Sequence, residues 1–146
     1  MARAVEAAGA AGEAPTAPSA DDYAHVADFW RALRRFIRRT EEVARTNGLT
    51  PQRYRLLVMI KGAVDGSERA TVTSLCDELQ LGQSTVTELV SRSEEAGLIR
   101  RDTSPDDARV VFLRLTDEGE RRLAATVAEL GVERRQLARL IEHFDS

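Results

Sequence analysis

The chain has 146 residues, of which 42% are hydrophobic, and a formal net charge of −3. That length suits one domain with a real core rather than two; the single cysteine, Cys76, excludes an internal disulfide and a multi-thiol metal site, and two histidines, His25 and His143, leave zinc chemistry poorly supplied. No apolar run is long enough to span a bilayer, and the first twenty residues lack the basic start and apolar core of a secretory signal, so the expected location is the cytoplasm, with no membrane partner.

Residues 1–20 hold Ala, Gly and Pro without an aromatic or an apolar period and read as a disordered tail; residues 21–146 read as a single domain. From Asp21 a long amphipathic helix is predicted. Ser19, Asp21 and Asp22 supply its cap and dipole partners, Asn47-Gly48 its stop, and Val26, Trp30, Leu33, Ile37, Thr40 and Ala44 its stripe at spacings of three and four. Thr50 caps the next helix with Pro51 at its first position, and Leu56, Leu57, Met59, Ile60 and Val64 are its expected buried side. After the loop VDGSERA come two short helices, Ser74 to Gln80 capped by Thr73, and Gln83 to Ala96 preceded by Gly82 and ended by Gly97.

LIRRDT and RVVFLRL are strand candidates joined by SPDDA, with Val111, Leu113 and Leu115 on one face of the second. Thr116 then caps a last helix with apolar positions Leu123, Val127, Leu130, Leu137, Ile141 and Phe144, interrupted by Arg134 and open to bending at Gly131. The negative total charge gives no hint of nucleic acid. It is unevenly spread, however: counted over residues 1–50, 51–97, 98–115 and 116–146, only 98–115, which hold the hairpin, are net positive, with four basic and three acidic groups.

Two short helices tightly joined by LQLGQS and followed by a hairpin make a winged helix-turn-helix. Here the sequence resembles the MarR family of bacterial transcription regulators, over roughly residues 21 to 144. The most specific pieces are QSTVTELV, EEAGLIRR, PDDAR and LTDEG. The resemblance implies a mainly α fold with a small β-hairpin wing. Residues 50–115 would form the DNA-binding lobe, and residues 21–48 and 116–146 the dimerisation helices. It further implies a recognition helix in the major groove, a wing arginine in the minor groove, and a homodimer on a pseudo-palindromic operator in double-stranded DNA. A small ligand would bind between the lobes. The implied role is a sequence-specific regulator, a repressor relieved by a small molecule.

The residues support each part separately. On the recognition helix Gln83, Ser84, Thr85, Thr87, Glu88, Ser91 and Arg92 face outward from Val86, Leu89 and Val90; short hydroxyls near a helix start bond phosphates or base edges, and Arg92 suits guanine or phosphate. In the hairpin Arg101 adds a cation. Asp107 and Arg109 stand two apart, so in an extended segment both side chains leave on one side and the carboxylate orients the guanidinium, as a narrow minor groove requires. A solvated turn with a casual ion pair is the plainer alternative. A calcium loop fails, because Asp102, Asp106 and Asp107 lack the spacing and the closing Glu.

Four positions depart from the family pattern: Glu88 where a basic or neutral residue is common, Ser93 where an apolar one is usual, Gly82 in place of a hydroxyl cap, and Ala108 in place of a second wing arginine. Glu88 repels phosphate unless it accepts from a cytosine amino group or pairs with Arg92. Val26, Leu33, Leu123, Val127, Leu130, Leu137 and Ile141 form the candidate dimer seam, with simple core packing as the alternative. His25, Phe29, Trp30 and Tyr54 are the candidate pocket for a small aromatic or anionic ligand, since aromatic bodies with a polar tip suit it. The arginines at 31, 34, 35, 38 and 39 read as a solvated face bonding acidic neighbours, and Cys76 as an inert thiol. No cofactor is implied. Without a glycine-rich phosphate loop or a nucleophile motif an enzyme finds little support; the competing function is a winged helix that binds protein instead of DNA, which the acidic balance and Glu88 favour.

Overall fold

A computed structural model of the chain describes residues 15–143. The expectations for the first fourteen residues and for Phe144 lie outside the described residues. Helix α1 (Ala20–Thr46) opens on a reciprocal cap: the Ser19 hydroxyl accepts from the Asp22 amide while the Asp22 carboxylate accepts from the Ser19 amide. It closes at Asn47, whose side chain donates to the Val43 carbonyl. Only its last turns are buried, at Val43 and Ala44.

Thr50 caps α2 (Pro51–Lys61), which buries Leu56, Leu57 and Ile60. Val64 departs from the expected buried side, because the helix stops at Lys61 and leaves Val64 65% exposed in the following loop. Helix α3 (Val72–Leu79) also starts earlier than its sequence pattern suggests. Its cap is Thr71 rather than Thr73, with Ser74 returning the bond to the Thr71 amide. The cause lies one residue upstream: Ala70 exchanges both backbone bonds with Leu113, which holds the chain extended until Thr71. Gln80, left-handed at φ 54°, then turns the chain into α4 (Gln83–Glu95).

The wing is an antiparallel pair, β1 (Ile99–Thr103) and β2 (Val111–Leu115), in register from Ile99 opposite Leu115 to Thr103 opposite Val111. The helix expected after it is two helices, α5 (Asp117–Glu129) and α6 (Gly131–Glu142). They part at Leu130, and the Val127 carbonyl, which a continuous helix would offer to the Gly131 amide, accepts from the Arg134 guanidinium at 3.1 Å. Arg134, an interruption in the apolar pattern, thus stabilises the break.

One cluster joins α2, α3, α4, the hairpin, Leu123 of α5 and the end of α1. Ser93, buried on α4, donates to the Leu89 carbonyl at 2.7 Å, so a hydroxyl in an apolar place is satisfied within its own helix. The terminal helices contribute little to this core. Val26 and Ile141 are exposed and Leu33, Val127 and Leu137 half-buried, whereas Leu123 and Leu130 are buried inside the chain itself, which removes those two from the expected seam. Among the described residues no helix is long and apolar enough to cross a membrane.

Candidate nucleic-acid interface

Val86, Leu89, Val90 and Ser93 fix the inner side of α4, and this leaves Gln83, Ser84, Thr85, Thr87, Glu88 and Arg92 exposed and Ser91 half-buried at its edge. The amino end of α4 has no side-chain cap at Gly82, so its first amides stay available to an anion. Glu88 and Arg92 face each other one turn apart at 2.6 Å and stay largely exposed. The carboxylate therefore neutralises the one cation of this row.

The wing tip is braced from several directions. The Ser104 amide donates to the Val110 carbonyl and the Val110 amide to the Asp107 carbonyl, while the Asp106 amide donates to the Ser104 hydroxyl. Asp107 holds Arg109 twice, accepting from its amide at 3.0 Å and from its guanidinium at 3.2 and 3.4 Å. Those bonds, the amide first, keep the Asp107 carboxyl below its ordinary value of 3.8. The Arg109 side chain is nevertheless 91% exposed. It is oriented and yet open to a ligand.

The wing is fastened to α4 through Arg101, whose Nε donates to both Glu94 carboxylate oxygens at 3.1 and 3.2 Å. That engagement makes Arg101 a brace between the two elements. Arg100 and Arg114 are directly opposite in the ladder, a like-charge pair relieved by Asp102, which accepts from Arg100 and forms an ion pair with Arg114 at 3.2 Å. Arg69 lies 3.8 Å from the centre of the Phe112 ring and clamps the loop before α3 onto the wing. Sequence reasoning missed Glu94, Asp102 and Arg69 as supports. The usable signal was two arginines forced opposite each other in a short hairpin, since such a pair demands a carboxylate nearby.

The four proposed pocket residues are not gathered at one cavity. His25 lines a small cavity of about 40 Å³ with Asp28, Leu140 and His143. Phe29 and Trp30 meet edge to face at 6.3 Å, and Tyr54 stands on α2, half-buried against the core, where burial raises its hydroxyl pKa. A larger cleft of about 540 Å³ lies between α1 and α6, with Phe36 and Leu137 beside Arg35, Arg39 and Arg139. Of the α1 arginines, Arg31 pairs with Asp28 and Arg39 with Glu42 and Glu133.

A tightly joined helix pair, an exposed polar row on the second helix and a two-stranded wing bonded to it define a winged helix-turn-helix protein. Residues 47–110 match the model of the MarR family. The fold is that of the YusO protein from Bacillus subtilis, with a TM-score of 0.59 and 26% identity over 86% of each chain. It is also that of Sco3205 from Streptomyces coelicolor, a MarR family regulator solved in complex with DNA, with a TM-score of 0.61 and 24% identity over 86% of this chain and 78% of that one. A protein of Thauera aromatica, named for transcriptional regulation of the hcr operon, is 34% identical over 93 residues, 64% of this chain; the match spans about half, 52%, of that relative's length. The winged helix-turn-helix region of the chain, residues 47–110, is that of the MarR family.

Proposed function

We propose that the chain regulates transcription by binding double-stranded DNA as a homodimer, with α4 in the major groove and Arg109 in the adjacent minor groove. The observation that carries this reading is the exposed guanidinium of Arg109, held by Asp107 at the tip of a wing that Arg101 and Glu94 fasten to the recognition helix.

The homodimer rests on α1. Tyr23, Val26, Trp30 and Ile37 lie along one exposed face at helical spacing, with Leu33 half-buried among them. Asp21 and Asp22 end that face, and Arg34 and Arg38 follow Trp30. An antiparallel second copy crossing at Trp30 would cover the apolar stripe and bring each acidic end against the other copy's arginines. Two copies set two recognition helices on one face of a duplex, about 34 Å apart. Release by a small ligand follows the family resemblance, and the cleft between α1 and α6 is the place where a ligand would act on that geometry.

The test is selection of genomic fragments by the purified chain, followed by hydroxyl-radical footprinting of the best. Two protected half-sites one helical turn apart are expected. Retention of every fragment equally, with no footprint, would turn the reading toward a protein-binding winged helix.

A further inference from the structure

The exposed row of α4 is chemically plain except at one place. Gln83, Ser84, Thr85, Thr87 and Ser91 are neutral, Glu94 is taken by Arg101 and Glu95 stands at the last position of the helix, which leaves the Glu88–Arg92 pair as the charged unit at its middle. An exposed pair of this spacing adds little to helix stability. Set against phosphates, a bare carboxylate at Glu88 would weaken binding, and the bond to Glu88 keeps Arg92 from acting as a free phosphate clamp. The pair therefore costs general affinity, and what it offers in return is an acceptor and a donor side by side. That is the complement of a C·G pair in the major groove, where the cytosine N4 amino donor lies beside the guanine O6 and N7 acceptors.

We propose that Glu88 and Arg92 form the base-reading unit of α4, Glu88 accepting from a cytosine amino group and Arg92 donating to guanine, so that each half-site carries a fixed C·G pair. The inference rests on the DNA-binding reading above and names the sequence class that it reads. A T·A pair would set the thymine O4 acceptor, in place of the cytosine amino donor, against the Glu88 carboxylate, and an inverted G·C pair would likewise put acceptor against acceptor.

Selection from a randomised duplex pool by the full chain tests this, with wild type, Glu88→Ala and Glu88→Gln run in parallel. Wild type should enrich a motif with cytosine at one position per half-site, preferred about tenfold. Glu88→Gln should move that preference to adenine, whose N6 and N7 suit a carboxamide, and Glu88→Ala should abolish it while other positions keep theirs. Freed from Glu88, Arg92 of the alanine variant should also bind random duplex more tightly, with a log–log salt slope steeper by about one. If both variants enrich the wild-type motif unchanged, the pair is a surface tether and the proposal is wrong. If wild type itself enriches nothing, the DNA-binding reading has failed and takes this inference with it, a result visible without either variant.

Discussion

Asp107 does two things with one carboxylate, closing the turn through the Arg109 amide and aiming the guanidinium. Its pKa carries the record of both bonds. Because the folded value lies below the unfolded one, the contribution of the pair is complete above the unfolded value and is lost as pH falls through the folded one. The wing should therefore keep its arrangement throughout the neutral range and loosen only in acid below 3.8. A carboxyl titration by NMR should place Asp107 under that value; an ordinary titration would mean that Arg109 swings free. The Asp107–Arg109 pairing was legible in the sequence because two residues of opposite charge, two apart in an extended turn, have little choice of direction. Glu88 and Arg92 were legible as alternatives only, since spacing allows the pair without requiring it. The bond from Arg101 to Glu94 was not legible: it joins two elements whose relative placement depends on the whole core.

At the scale of elements, caps and close approaches decide where helices begin. Thr116 is the clearest case, since its hydroxyl accepts from the Gly119 amide and donates to the Gly97 carbonyl while its amide donates to Leu98, tying the start of α5 to the end of α4. Gly119 sits so close that an added Cβ would strike the Leu98 carbonyl. Gly119→Ala should destabilise the fold by about 1–3 kcal/mol, measured by thermal or urea unfolding, as backbone must move to admit the methyl group. An unchanged midpoint would mean that the α5 junction is looser than it stands. Gly97, left-handed at φ 74°, reverses the chain between α4 and β1. Sequence periodicity located all the long apolar segments. It misplaced the start of α3, because a distant backbone pairing between Ala70 and Leu113 sets it, and it carried α5 through Leu130 because the stripe on either side of the break keeps nearly the same phase.

Across the whole molecule, the core belongs to the winged helix, the end of α1 and Leu123 of α5, and the longest helix spends most of its length outside it. Trp30, 58% exposed near the middle of α1, is the test of what that face is for. Trp30→Asp should leave the thermal midpoint of the monomer nearly unchanged, shift sedimentation from dimer toward monomer, and weaken operator binding, since each half-site then binds alone. A dimer that survives the substitution would place the seam elsewhere. Whether the wing and α4 grip DNA is read by fluorescence anisotropy of the full chain on its selected DNA across a salt series, beside Arg109→Ala. Salt-sensitive binding is expected, weakened by the substitution by about 1–3 kcal/mol and with a shallower salt slope. Equal affinity and equal slope for the two proteins would contradict that grip.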